Sequence, residues 1–204
     1  MRPTVPDLAA LLRLALLALC LAAVGPARAA GFDLQALMAQ LAQVRSGEAT
    51  FTEDRHVLQL DRTIRSRGRL SFAAPDTFVR ETQQPRYERM AVVGNQLSMS
   101  RGDRTQTALL DSVPEAVVIV EAIRGTLTGN RATLERYFDT TLQGRPEQWQ
   151  LDLVPRDARL RGQVAQVRVS GRNAQVREVR IHLADGDSSV MRIEPVAAGA
   201  PSRP

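Results

Sequence analysis

The side chains that could carry out catalysis are few, and their spacing does not assemble an active site. His56 and His182 are the only histidines, and both fall in segments where polar and apolar residues alternate, as expected of surface positions on strands. Glu53 and Asp54 are adjacent on a predicted strand, so their carboxylates point to opposite faces and cannot act as an acid–base pair. No serine lies in a Gly-x-Ser-x-Gly sequence. The sequence therefore predicts a protein that is not an enzyme.

Metal, cofactor and nucleic-acid sites are not expected either. All 27 basic residues are arginine, which excludes Schiff-base and P-loop lysines, and the lone Cys20 excludes an intramolecular disulfide or a cysteine zinc cluster. Asp185-Gly186-Asp187 resembles a fragment of a calcium loop but lacks the further ligands, and it predicts a hairpin turn. Arg101-Gly102-Asp103 predicts another turn. Aromatic residues make up only 4% of the chain, too few for base-stacking platforms, so no nucleic acid is expected.

The first thirty residues resemble a targeting segment. Residues 14–24 are uncharged and mostly apolar, and Ala27-Arg28-Ala29 fits the small-x-small rule for cleavage. We interpret residues 1–29 as a secretory signal peptide; the alternative is a buried or membrane-anchoring helix. Acylation at Cys20 is disfavoured because Leu19 stands where a small residue is required. At the other end, residues 196–204 are rich in alanine, glycine, proline and serine and predict a flexible tail.

Between these ends the periodicity alternates between helix and strand. A helix is predicted over residues 34–44, capped by Asp33 and ended by Gly47, and a second over 114–127, capped by Asp111 or Ser112. A short helical turn is predicted over residues 134–138. About six strands are predicted between residues 49 and 110 and about four between 148 and 193, joined by short turns such as Gly94-Asn95. Short turns between strands predict an antiparallel sheet.

Each predicted strand has one apolar face. The residues on these faces are Ile64, Leu70, Phe72, Phe78, Met90, Val92, Leu97, Met99, Leu151 and Leu153. They could form an ordinary core beneath the two helices. Alternatively, a long curled sheet with little helical cover leaves an apolar hollow, in which the methionines would adapt to a flexible ligand.

Several motifs resemble the periplasmic carriers of outer-membrane lipoproteins, the LolA family, and in particular its divergent LolA-like branch. They are Phe51-Thr-Glu-x-Arg55, then Gly68-x-Leu70-x-Phe72-x-x-Pro75-x-x-Phe78, and later Trp149-x-Leu151-x-Leu153-x-Pro155. The resemblance covers residues 32–195, and we expect one carrier domain over residues 30–195.

The resemblance implies a mainly β fold, an incomplete antiparallel β-barrel of about 10–11 strands with helices covering its concave face. It implies a monomeric periplasmic carrier that shields the acyl chains of a lipoprotein between an inner-membrane transporter and an outer-membrane receptor. The ten apolar residues above would line the cavity. The lid residues would be Leu37, Leu41, Val120, Ile123 and Leu127.

One departure from the family concerns the polar contact with the lid. Better-known carriers have an arginine before the proline of the Pro75 motif, which hydrogen-bonds the lid, whereas this chain has Ala74. Arg80 stands where those carriers have an apolar cavity residue, and we hypothesise that it contacts the lid or the cargo headgroup; the alternative is that it extends to the rim. The departure leaves open a carrier of a non-lipoprotein lipid. A separate alternative is a binding module that uses the same half-barrel to sense lipoproteins.

Overall fold

A computed structural model describes residues 31–196, so the predicted signal peptide (1–29) and nearly all of the predicted tail lie outside the described residues. The helices are α1 (Leu34–Leu41), α2 (Pro114–Leu127), α3 (Arg131–Tyr137) and α4 (Ala158–Arg161), with 3₁₀ turns at Leu58–Leu60 and Leu110–Ser112. The strands are β1 (Ser46–Val57), β2 (Arg62–Ala73), β3 (Thr77–Gln84), β4 (Glu88–Val93), β5 (Gln96–Arg101), β6 (Arg104–Leu109), β7 (Phe138–Arg145), β8 (Gln148–Pro155), β9 (Val164–Arg172), β10 (Gln175–Leu183) and β11 (Ser188–Pro195).

All eleven strands belong to one open antiparallel sheet. Their order is β6-β5-β4-β3-β2-β1-β11-β10-β9-β8-β7, so β6 and β7 are the two edges and β1 joins β11 in the middle. The first and last strands of the domain are thereby paired at the centre of the sheet. The predicted architecture, a mainly β fold of about 10–11 antiparallel strands with helices, is confirmed.

The register of the strands places all ten of the predicted apolar residues on one face. For example, Leu70 pairs with Arg80, Arg80 with Met90, and Met90 with Met99, so these four side chains form a row across β2 to β5. A parallel row runs through Phe72, Phe78, Val92 and Leu97. We call this side, which the helices cover in part, the inner face.

The helices bury the inner face in two separate groups of side chains. The large cluster joins α1, α2 and α3 to strands β7 to β10, and its fourteen buried members are Leu37, Met38, Leu41, Val118, Ala122, Leu134, Phe138, Trp149, Leu151, Leu153, Val164, Val167, Val169 and Val179. The small cluster joins α2 to β4 and β5 through only four buried residues, Val92, Leu97, Leu110 and Val120. The helices are therefore held mainly by the C-terminal half of the sheet.

The helix termini agree only partly with prediction. Asp33 caps α1 as predicted, since its carboxylate accepts a hydrogen bond from the Ala36 N–H at 2.8 Å. However, α1 ends at Leu41, and Gly47 belongs to β1. The prediction that Asp111 or Ser112 caps α2 is wrong, because Val113 holds that position without a side-chain hydrogen bond. Pro114 in the first turn has no backbone N–H that requires an acceptor, which lessens the demand for a cap.

Strand β7 and the short helix α4 are absent from the sequence predictions. The periodicity predicts a helical turn over residues 134–138 and no strand between residues 138 and 148, whereas α3 ends at Tyr137 and β7 begins at Phe138. Only Phe138 of β7 is buried. An edge strand with so little buried surface leaves a weak alternation in the sequence.

The predicted turns are present at their predicted places. Gly94 and Gly102 begin the β4–β5 and β5–β6 turns with positive φ angles of 58° and 55°. In the turn between β10 and β11, the Asp187 carboxylate accepts the Leu58 N–H at 3.0 Å and pairs with Arg55 at 3.4 Å. The Asp187 carboxylate thus connects this turn to the β1–β2 hairpin. Among residues 31–196, no helix has the length and hydropathy needed to cross a bilayer.

Gly68 is a position where a side chain cannot be added without moving the backbone. A Cβ atom there would lie 1.8 Å from the backbone oxygen of Glu81 on β3. We expect Gly68→Ala to lower the free energy of unfolding by about 1–3 kcal/mol, measured by urea denaturation. Gly47→Ala is the control, because a Cβ at Gly47 meets no atom within 4 Å. Equal stability of the two variants would contradict the prediction.

Candidate functional site

The end of the inner face that the helices leave uncovered contains a hollow of about 410 Å³. We call it the inner hollow. Its apolar walls come from Ile64, Pro85, Met90 and Met99 on and beside strands β2 to β5. Ile64 and Met99 are 40% and 38% exposed, although they share a face with fully buried core residues. Apolar side chains are thus available to a ligand at this end of the sheet.

A polar network forms the floor of the inner hollow around Glu53. One carboxylate oxygen accepts hydrogen bonds from Arg80 Nη2 at 2.5 Å and from Ser66 Oγ at 3.0 Å. The other accepts the Ser189 hydroxyl at 2.6 Å. The Arg80 guanidinium also lies over the Phe51 ring, 4.8 Å from its centroid, and helps to keep that ring 2% exposed. β1, β2, β3 and β11 each contribute one polar residue to the network.

Arg80 points toward the interior side of the sheet, but its hydrogen bonds do not reach the helices. Within residues 31–196 its hydrogen-bond partners are Ser66 on the neighbouring strand β2 and Glu53 on β1, one strand farther away. The row that contains Arg80 is one step farther from the helix-covered end than the row of Phe78. Arg80 therefore forms no hydrogen bond with the described helices, and its contact with a cargo headgroup stays a prediction.

An arginine of α2 makes the contact between helix and sheet instead. Arg124 donates a hydrogen bond to the backbone oxygen of Gly94 in the β4–β5 turn at 2.6 Å and pairs with Glu121 at 2.7 Å. The Glu121 and Arg124 side chains are 10% and 19% exposed. Arg124 also lines a second hollow of about 340 Å³, together with Ala74 and Pro75. The guanidinium thus comes from the helix, on the side where Ala74 provides none.

The predicted cavity residues divide into four environments: the inner hollow, a half-buried group, the small cluster and the large cluster. Ile64, Met90 and Met99 line the inner hollow. Leu70, Phe72 and Phe78 are half-buried, and the last two rings stack with centroids 5.2 Å apart. Val92 and Leu97 lie in the small cluster, and Leu151 and Leu153 lie in the large cluster with no exposure at all. A ligand could touch this last group only after the helices moved.

The predicted lid residues lie on the two helices that cover the inner face. Leu37 and Leu41 of α1 are buried in the large cluster, and Val120 of α2 is buried in the small cluster. Ile123 and Leu127 are half-buried. Helix α2 therefore contributes buried residues to both clusters and crosses between the two halves of the sheet.

Sequence reasoning did not single out Glu53, Ser66, Ser189 or Arg124 as parts of a site. For Glu53 a signal was present, since this acidic residue shares the parity of Phe51, which places it on the inner side of β1. Asp54 lies on the opposite face, where it pairs with Arg65 and Arg192. The partners of Glu53 could not be found, because Ser189 is 136 residues away in the chain.

Arginines outnumber acids around the inner hollow. Five arginines line it, Arg55, Arg80, Arg86, Arg89 and Arg101, against the two carboxylates of Glu53 and Glu88. By contrast, His56 and His182 lie on the outer side of the sheet, each opposite Ser188 of β11. Also there, Glu178 accepts a hydrogen bond from Arg180 and attracts its charge, which raises the pKa of that guanidinium. No cluster of three or more potential metal ligands occurs in the described part of the chain.

Comparisons with known proteins identify a family. The family described as outer membrane lipoprotein carrier protein LolA-like matches residues 25–201. Similar solved structures include a LolA superfamily protein from Nitrosomonas europaea, with 10% identity, a TM-score of 0.44, and coverage of 82% of this chain and 94% of that one. A DUF1329 family protein from Desulfovibrio piger has 10% identity, a TM-score of 0.47, and coverage of 84% and 94%. LprF from Mycobacterium bovis has 11% identity, a TM-score of 0.38, and coverage of 83% and 94%. No curated protein matches the sequence.

Proposed function

Because the chain belongs to the LolA-like family of outer membrane lipoprotein carrier proteins, we propose that it carries the acyl chains of lipoproteins, or of a related lipidated cargo, across the periplasm. The observation that carries the proposal is the inner hollow, where Ile64, Met90 and Met99 remain accessible on the otherwise buried inner face. Residues 1–29 would direct export. The donor would be an inner-membrane transporter and the acceptor an outer-membrane receptor, with the carrier acting as a monomer.

The size and lining of the inner hollow suit the first segment of an acyl chain. Its volume of about 410 Å³ lies within the range of about 300–1,000 Å³ for ligand sites. Each methylene that leaves water contributes about 0.8 kcal/mol, so a chain gains affinity without polar recognition. The methionines Met90 and Met99 adapt their shape to a flexible ligand.

A longer chain would need the helices to separate from part of the sheet. Four buried residues and the Arg124 hydrogen bond hold α2 to β4 and β5, whereas fourteen buried residues form the cluster on the other half. Separation at β4 and β5 therefore disrupts less buried surface. In this proposal the acyl chain enters at the inner hollow and extends beneath α2, past Phe78 and Leu97, as the small cluster opens.

The direct test is the composition of the protein purified from its native periplasm, read by mass spectrometry. Co-purified acylated peptide supports the proposed lipoprotein carrier. Free lipid without peptide changes the cargo to a non-lipoprotein lipid. A protein that carries nothing and takes up no acylated peptide when one is added would contradict the proposal.

A bulky residue inside the inner hollow should block uptake. Met90 of β4 lines the hollow, whereas Val93 of the same strand is 53% exposed on the opposite face. We expect Met90→Trp to weaken binding of a fluorescent fatty acid by about tenfold, because the indole occupies space that two or more methylenes would fill. Val93→Trp is the matched control and should bind as the parent does. Equal binding by both variants would place the acyl site elsewhere.

A further inference from the structure

The floor of the inner hollow has more hydrogen-bond donors than the protein itself uses. Both hydrogen bonds of Arg80 come from Nη2, and its buried Nε has no partner within residues 31–196. A guanidinium has five N–H donors, so the donors on Nη1 and Nε of Arg80 remain without an acceptor among the described residues. Glu53, in contrast, already accepts three hydrogen bonds. The group that would complete the network is an acceptor.

The charges around the hollow favour an acceptor that is negative. Of the four other lining arginines, Arg55, Arg89 and Arg101 each pair with one carboxylate, at 3.4, 3.4 and 2.9 Å. Arg86 forms no ion pair with any residue that the structure describes. Since Arg80 pairs with Glu53, four of the five guanidinium groups have a carboxylate partner, and Arg86 leaves one positive charge in excess. Guanidinium groups bind phosphate and carboxylate oxygens well because their paired donors match the spacing of those oxygens.

Apolar and cationic side chains adjoin each other in this one hollow. Met90 lies beside Arg80 in the same row across β3 and β4, and Met99 follows it on β5. Ile64 is next to Ser66 on the inner side of β2. An ion without an alkyl chain would leave the apolar wall in water, and an uncharged lipid would leave the guanidinium groups without a partner.

Resting on the proposed carrier function, we infer that the inner hollow selects amphiphiles with an anionic headgroup, a phosphate or carboxylate attached to an alkyl chain. Arg80 binds the headgroup at the floor, Arg86 approaches it from the turn between β3 and β4, and Met90 and Met99 contact the first methylenes. Glu53 orients Arg80 and at the same time weakens anion binding by its own charge.

The test compares octyl phosphate, octyl glucoside, octyltrimethylammonium and inorganic phosphate by isothermal titration calorimetry with the delipidated protein. We expect octyl phosphate to bind about tenfold more tightly than octyl glucoside, since hydrogen bonds to charged groups are among the stronger ones. Octyltrimethylammonium should bind most weakly of the three octyl compounds. The preference for the phosphate should decrease with added salt, because ions screen exposed charges.

Two variants should shift the affinity in opposite directions. Arg80→Met keeps an unbranched apolar side chain but removes the guanidinium, and it should bring octyl phosphate to the affinity of octyl glucoside. Glu53→Gln should increase the affinity for octyl phosphate, because it removes the repulsion and keeps a group that can orient Arg80. A purely structural role for the pair predicts losses in both variants. Arg192→Gln on the outer face is the control and should leave all affinities unchanged.

The outcomes separate this inference from the proposed function. If no octyl compound binds, the carrier function itself is wrong. If all three bind equally, or if Glu53→Gln weakens octyl phosphate binding, the carrier function stands and headgroup selection is refuted. Inorganic phosphate binding as tightly as octyl phosphate would show a site for free anions and would also refute it. Should Arg80→Met fail to fold, the ligand series and Glu53→Gln decide the question.

Discussion

Replacement of Arg124 by methionine should lower the free energy of unfolding by about 3 kcal/mol, because it leaves the carboxylate of Glu121 buried without its partner. Glu121 is 8% exposed, and Arg124 is its hydrogen-bond partner at 2.7 Å. The variant also loses the hydrogen bond from α2 to the Gly94 carbonyl. Urea denaturation measures the loss, and stopped-flow binding of a fluorescent fatty acid should show faster uptake.

Two further variants show whether the buried charge is the cause. Glu121→Gln combined with Arg124→Met removes both charges, and we expect it to be more stable than Arg124→Met alone. Arg131→Met is the matched control on α3, because Arg131 pairs with Glu135 at a surface position where both side chains are more than 40% exposed. An exposed pair of this kind contributes about 0.5 kcal/mol or less. A similar loss for Arg124→Met and Arg131→Met would contradict the prediction.

The second large effect is expected at Trp149 in the large cluster. Trp149 is 1% exposed, its indole N–H donates to the Asn173 backbone oxygen at 2.9 Å, and its ring packs against Gly171. Trp149→Ala should lower the free energy of unfolding by about 3–5 kcal/mol, since the cavity it leaves cannot fully close. Thermal and urea denaturation measure the change.

A graded series tests this explanation. Trp149→Phe keeps an aromatic ring in the cluster but leaves the Asn173 oxygen without its donor, so we expect a loss of about 1–3 kcal/mol. Tyr87→Ala removes an aromatic side chain that is 58% exposed, and we expect a change within about 0.5 kcal/mol. If Trp149→Ala proved as stable as Tyr87→Ala, the large cluster would not be the part of the protein that determines its stability.

Much of the fold was predictable because strand alternation and turn residues are local signals. Gly94 and Gly102 marked two turns, and the alternation around Met90 and Val92 put the correct side chains on the inner face. β7 was missed because only one of its residues is buried, and the cap of α2 was wrong because a proline start does not require a capping side chain.

The site was less predictable, because it depends on what lies opposite each side chain. Alternation assigns Met90 and Leu151 equally to the inner face, yet the first lines the inner hollow and the second is fully buried beneath the helices. From its place in the strand alternation, Arg80 was correctly predicted to lie on the inner face. Its partners Glu53 and Ser66 lie 27 and 14 residues away in the sequence, and no local pattern pairs residues at such separations.

The unequal size of the two clusters separates the stability of the whole domain from the ease with which α2 separates from β4 and β5. The proposed carrier would need both properties. The fourteen buried side chains of the large cluster contribute most of the buried apolar surface that stabilises the fold. The four buried side chains of the small cluster hold α2 against β4 and β5. In the proposed carrier function, substitutions at Val92, Leu97, Leu110 or Val120 would change how readily α2 separates from β4 and β5 during loading. In the proposed carrier function, each cycle of loading and release would disturb the four buried residues of the small cluster and leave the fourteen of the large cluster in place.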